Sequence, residues 1–121
     1  MADSASSTPF KAGDVVYFTL AVADADRAQR FYGELLGWSF SPGNAPGGSN
    51  IEGATPPGGM MEGAEAGAAE LYFMVDDLDA GMARVLELGG EAGDPQPTDG
   101  GRYSRCRDDQ GNAFGIWAPG G

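Results

Sequence analysis

Val15-Val16-Tyr17-Phe18-Thr19-Leu20-Ala21-Val22-Ala23-Asp24-Ala25-Asp26-Arg27-Ala28-Gln29-Arg30-Phe31-Tyr32-Gly33-Glu34-Leu35-Leu36-Gly37 is the stretch on which the fold turns. Its opening run, Val15 to Val22, is rich in β-branched and aromatic side chains and suits a pleated strand. Asp24 then stands where a helix N-cap would, with Asp26 in the first turn to favour the positive end of the helix dipole. Ala28, Phe31, Tyr32 and Leu35 recur at helical spacing, and Gly37 supplies the stop.

The same grammar returns at a constant offset of 53 residues, pairing Tyr17 with Glu70, Leu20 with Phe73, Asp24 with Asp77, Leu35 with Leu88 and Gly37 with Gly90. Glu70 to Val75 reads as a strand, Asp76-Asp77 as a cap, and Leu78 to Leu88 as a helix closed by Gly89-Gly90. A strand, cap, helix and glycine in register twice over argue for an internal duplication. The residues after each helix must then supply further strands. In the first copy these are Trp38-Ser39-Phe40, Ser49 to Glu52 and Gly59-Met60-Met61, separated by Pro42-Gly43-Asn44 and Pro56-Pro57-Gly58. In the second they are Glu91-Ala92, Gly101 to Arg107 and Ala113 to Trp117, the last two joined by a turn at Asp109-Gln110-Gly111-Asn112. Glu62 to Gly67 is a linker, and residues 1–12 read as a disordered leader. One domain over 13–121 is expected, with modules at about 13–62 and 68–119.

Composition narrows the partners. The net charge of −11, from 18 acidic and seven basic side chains, would repel a phosphate backbone or an anionic membrane surface. Neither nucleic acid nor membrane is expected as a partner, while a cationic small molecule would be attracted. Cys106 is the single cysteine, which rules out an internal disulfide, and with no signal-like segment a cytoplasmic location is expected. Histidine is absent, removing the commonest general base and the commonest transition-metal ligand together.

Arg27-Ala28-Gln29-Arg30-Phe31-Tyr32 with Leu35-Leu36-Gly37-Trp38, then Val75-Asp76-Asp77-Leu78-Asp79, and finally Asp108-Asp109-Gln110-Gly111-Asn112-Ala113-Phe114-Gly115-Ile116-Trp117, resemble in that order the vicinal oxygen chelate superfamily. That group gathers glyoxalases, bleomycin-resistance proteins and extradiol dioxygenases. Asp109 departs from it, since proline is usual there. The resemblance implies an α+β fold of two tandem βαβββ modules forming an open curved sheet, a cup, with helices outside and the ligand within. Strand alternation assigns faces compatibly. Phe18, Leu20, Val22, Leu71, Phe73, Val75, Phe114 and Ile116 are expected under the helices. Tyr17, Thr19, Ala21, Glu70, Tyr72, Met74, Ala113, Gly115 and Trp117 are expected on the other side.

Metal-using relatives implied by the resemblance take ligands from the first and last strand of each module. Those places hold Tyr17, a residue near Met60 or Met61, Glu70 and Gly115. One carboxylate beside a phenol, a thioether and a glycine is a poor donor set, so no metal and no cofactor is expected. The expected ligand-binding residues are Tyr17, Thr19, Trp38 or Phe40, Met60 or Met61, Tyr72, Tyr103, Arg105 and Trp117, a lining suited to a flat or conjugated organic molecule. Glu70 is the candidate catalytic residue, as general base or as counter-ion to a cationic ligand, unless Arg105 or Arg102 pairs with it. Cys106 is expected beside Ser104 in the core, not acting as a nucleophile.

Two classes of function compete. One is a binding protein that sequesters an aromatic or cationic molecule, such as an antibiotic, unchanged. The other is a metal-free isomerase, cyclase or lyase using Glu70. A metal-dependent glyoxalase or dioxygenase comes last for want of ligands. The resemblance also implies a homodimer.

Overall fold

The computed structural model describes residues 10–43, 47–63, 68–98 and 100–120. Most of the expected leader, Asn44 of the first turn and residues 64–67 of the expected linker lie outside them. In chain order the elements are β1 (Val15–Val22), α1 (Ala25–Leu36), β2 (Ser39–Pro42), β3 (Gly48–Glu52), β4 (Gly58–Glu62), β5 (Ala69–Met74), α2 (Leu78–Glu87), β6 (Glu91–Ala92), β7 (Gln96–Thr98), β8 (Gly101–Arg107) and β9 (Ala113–Pro119). The fold class is α+β, and the strand, helix and three-strand order of the first copy recurs in the second with β7 added. The chain divides into two compact units, one spanning Tyr17–Leu71 and the other running from Tyr72 onward together with the residues through Val16.

In the unit spanning Tyr17–Leu71 the strands are ordered β2-β3-β4-β1, with β4 and β1 parallel and the other neighbours antiparallel. Helix α1 starts where Asp24 accepts the Arg27 N–H at 3.1 Å. A second N–H at its start, that of Ala25, donates to Glu62 Oε2 at 2.8 Å, so the end of β4 satisfies a helix donor that has no intrahelical partner. Gly37, at φ 77°, closes the helix in the left-handed conformation that glycine adopts without steric cost. Ala25 is buried, Ala28, Gln29 and Tyr32 are half-buried, and Gln29 Nε2 donates to Ser49 Oγ at 2.8 Å, which fixes the inward side of α1. Beneath it Ile51 and Met60 are wholly enclosed. Phe31 and Leu35 fit the helical period but lie round the flank of that stripe, with 61% and 64% of their surface exposed.

In the other unit the order is β5-β9-β8-β6, with β5 and β9 parallel, and β7 paired to the same strand, β8, as β6. Asp77 caps α2 by accepting the Ala80 N–H at 2.9 Å. The constant offset then fails by one residue at the far end. Gly89, at φ 97°, takes the left-handed turn that Gly37 takes in the first copy, and Gly90 does not. Leu78, Cys106, Ile116 and Ala118 form the core, packed by Val75, Met82, Val85 and Phe114. Burying side chains such as Leu78 and Ile116 stabilises the fold by about 1.5–3 kcal/mol each. The expectation that Cys106 and Ser104 point into this core holds, both being buried.

Strand β7 has no strand signal in the sequence. Pro95 and Pro97 make the segment read as a loop, yet Gln96, Pro97 and Thr98 pair with Tyr103, Arg102 and Gly101. Proline is compatible with an edge strand because the missing N–H need not face a neighbour. Among the described residues no helix is long and apolar enough to cross a membrane.

Candidate functional site

Strand register decides which side chains share a face. In the unit from Tyr72 onward, Tyr72 is in register with Gly115 and Gly115 with Arg105, which places the three in one row across β5, β9 and β8. The next row holds Met74, Trp117, Tyr103 and Gln96, and the third holds Pro119, Gly101 and Thr98. Residues in register lie on the same side of a pleated sheet, and this side is opposite the one on which Ile116, Cys106 and Ala118 meet α2. Tyr72, Tyr103, Arg105 and Trp117 are thereby brought together on one face. Met74 joins them, as do Gln96 and Thr98 from β7.

The rings on this face are fixed by geometry. Tyr72 is buried, and its ring lies across the backbone of Gly115, whose missing side chain leaves the room. Tyr103 meets Tyr72 edge to face, with centroids 5.7 Å apart and planes at 80°, the arrangement favoured by ring quadrupoles. Trp117 is half-buried, and its Nε1 donates to Thr98 Oγ1 across 3.4 Å. Arg102 points the other way and pairs with Asp79 of α2 at 3.5 Å.

The unit spanning Tyr17–Leu71 presents a different chemistry on the sheet side away from α1. Thr19, Gly59, Asn50 and Ser41 are in register, with Ala21 and Met61 in the next row. Ser41 Oγ donates to Glu52 Oε2 at 2.7 Å, and Asn50 Nδ2 donates to Pro42 O at 3.3 Å. The Tyr17 hydroxyl reaches over Gly59, and Met61 is 49% exposed. Tyr17, Thr19 and Met61 thus occupy the expected side.

Trp38, Phe40 and Met60 do not, and this corrects the face assigned to them. Trp38 stacks on Tyr32 of α1 at 5.4 Å and tilts against Phe18 at 5.7 Å. Phe40 is in register with the buried Ile51 on the helix side, and Met60 is fully buried. The physical reason is that Trp38 precedes β2 and follows the helix back onto its own tyrosine, which sets the alternation of β2 one step from the expected phase. Glu70, in the part of β5 that belongs to the Tyr17–Leu71 unit, is half-buried.

The donor positions implied for a metal do not fit one. Met60 is enclosed under α1, and the place of a residue-115 side chain is taken by the ring of Tyr72. Among the described residues no three His, Cys, Asp or Glu side chains gather where they could hold an ion. Burial pushes the Cys106 thiol up, away from the nucleophilic thiolate, and outweighs its hydrogen bond with Ser104. A hollow of about 340 Å³ lined by Val85, Leu88, Gly90, Asp108, Asp109 and Phe114 lies on the helix side of its unit, away from the rings. Chemistry, and not concavity, singles out the aromatic face.

The family model of the glyoxalase-like domain matches residues 17–117, from the first strand to the last. The chain belongs to the glyoxalase-like family. Glyoxalase-like relatives include the "Putative glyoxylase CFP32" of Mycobacterium bovis and that of Mycobacterium tuberculosis, each 30% identical over 121 aligned positions that cover 89% of this chain and 46% of the relative. The chain therefore spans about half the length of the curated relatives it matches. Among solved structures, methylmalonyl-CoA epimerase from Mycobacterium tuberculosis has a TM-score of 0.66 at 17% identity, covering 94% of this chain and 93% of its own. A hypothetical protein from Bacillus halodurans has a TM-score of 0.72 at 15% identity, covering 92% and 97%. These structures share the fold of the vicinal oxygen chelate superfamily with this glyoxalase-like chain.

Proposed function

We propose that this glyoxalase-like chain binds a small aromatic or cationic organic molecule on the sheet face that carries Tyr72, Tyr103, Trp117 and Met74, and holds it unchanged. The observation that supports this reading is the register that sets three rings, a thioether and the Arg105 guanidinium side by side, on the face opposite α2. The negative net charge adds a preference for cations. In its finer form the reading is sequestration of an antibiotic, by a cytoplasmic protein that works as a homodimer.

Calorimetric titration with a panel of neutral aromatic molecules and of planar and saturated organic cations tests it, with the recovered compound analysed by mass. Saturable binding of one or more, recovered intact, is the expected result. Failure of every member to bind would overturn the reading, and a monomeric mass in sedimentation would remove the dimer from it.

A second reading is a metal-free isomerase, cyclase or lyase. It is favoured by the similarity to relatives named as glyoxylases and by the half-buried carboxylate-bearing Glu70 of β5. Under that reading Glu70→Gln abolishes conversion of a bound compound and leaves its affinity nearly intact. Under sequestration the same change weakens only cationic ligands.

A further inference from the structure

We propose that Trp117 is a stacking plate, held flat by Gly101 and Thr98, and that the molecule taken by the aromatic face is a planar conjugated ring system bearing a hydrogen-bonding group on one edge. This rests on the binding reading above and narrows its ligand class.

The argument begins at residue 101. A Cβ there would collide first with the backbone oxygen of Ala118, and would also stand 2.8 Å from Cζ2 and 2.9 Å from Cε2 of Trp117, closer than real Cβ contacts come. Glycine at 101 lets the β9 backbone come close and leaves the indole room to settle onto β8. The ring is then bounded on three strands. Tyr103 of β8 stands in register beside it, Thr98 of β7 accepts its Nε1 proton, and Met74 of β5 flanks it in the same row.

An indole fixed in this way gives up little conformational freedom when a second ring stacks on it, which is where rigid aromatic side chains gain affinity. Its half-buried state leaves part of the ring within reach of solvent. The neighbours specify the rest of the ligand. The Met74 thioether offers a polarizable contact at one end of the row, and Gln96, exposed and in register with Tyr103, offers an amide donor and acceptor at the other. A flat ring spanning that row would meet sulfur at one edge and a hydrogen-bonding amide at the other. A saturated ring of the same charge would gain neither the stacking nor the fit.

The test uses two probes, proflavine, a planar acridine cation with amines on its edge, and dicyclohexylamine, a saturated cation. Calorimetry measures both against the unsubstituted chain and against Trp117→Ala and Trp117→Leu, the second keeping apolar bulk if the first fails to fold. Proflavine affinity should fall about tenfold or more in either variant, the scale of one lost aromatic stack, with dicyclohexylamine changing by less than about twofold. Thr98→Val should shift the Trp117 emission and weaken proflavine, and Thr98→Ser should restore both. Proflavine binding that survives Trp117→Leu within about twofold would overturn the stacking plate and leave the binding reading standing. Binding of dicyclohexylamine but not proflavine by the unsubstituted chain would do the same. Binding of neither probe would overturn the plate, and only failure of the whole panel of aromatics and cations would overturn the binding reading with it.

Discussion

The ring of Tyr72 lies across the backbone of Gly115 so closely that no side chain fits at residue 115. Two neighbouring strands are locked together by an aromatic on a glycine, at a place where metal-using relatives would need a donor. An alanine in a strand interior ordinarily stabilises relative to glycine by about 0.5–1 kcal/mol. Here Gly115→Ala should instead destabilise by about 1–3 kcal/mol, because the added methyl must displace a buried ring. Urea unfolding would measure it, and in a Tyr72→Ala background the cost of Gly115→Ala should shrink or reverse. Equal cost in both backgrounds would disprove the contact.

The turn before β9 predicts an acid-side dependence. Asp108 is held below its ordinary value of 3.8 chiefly by the Asn112 side chain, then by the Asn112 and Gln110 backbone N–H groups. Its carboxylate accepts Asn112 Nδ2 at 3.0 Å, Asn112 N at 2.9 Å and Gln110 N at 2.8 Å. A group whose folded value is depressed contributes stability that is complete above its unfolded value and is lost as pH falls through the folded one. Denaturant midpoints followed from neutral pH downward should therefore drop less steeply below about pH 4 in Asp108→Asn than in the unsubstituted chain. An identical slope would remove this residue from the acid response.

Cys106 should resist thiol reagents in the folded chain. It is 4% exposed and its thiol is pushed up by burial, so both access and thiolate fraction are low. Labelling with a chromogenic disulfide is expected to follow the unfolding rate and to become rapid only in denaturant. Stoichiometric labelling within seconds under native conditions would contradict the core placement.

The helix starts carry a further expectation. Asp24→Ala and Asp77→Ala each remove a carboxylate that accepts a first-turn N–H, and each should cost about 1 kcal/mol in unfolding free energy. Asp24→Asn should recover most of its loss, since the amide oxygen can accept the same bond. No recovery would mean that charge, and not the hydrogen bond, sets the helix start.

Much of this fold was legible because its signals are local. Caps at Asp24 and Asp77, the β-branched and aromatic runs of β1 and β5, and the turn before β9 each announce themselves within a few residues. Faces were legible wherever alternation ran unbroken, as along β9, where Phe114 and Ile116 go to the helix. They were illegible where a strand began off a tight corner. Trp38 and Phe40 went to the wrong side because no residue between Gly37 and Ser39 marks where the phase of β2 is set. Proline hid β7, and with it Gln96 and Thr98. Exposed Phe31 and Leu35 keep the helical period but not the burial, because the period alone does not say how wide the covered stripe is.

From the order of residues alone came the duplication, the absence of histidine and the acidic field, since each depends only on neighbours along the chain or on counts, while the α+β class and the metal-poor donor positions came through the family resemblance. Only tertiary structure decided which rings stand together. Tyr72 over Gly115 and Trp117 over Gly101 are contacts between strands far apart in sequence, and register, which no local pattern encodes, is what brings a ring to the one residue type that leaves it space.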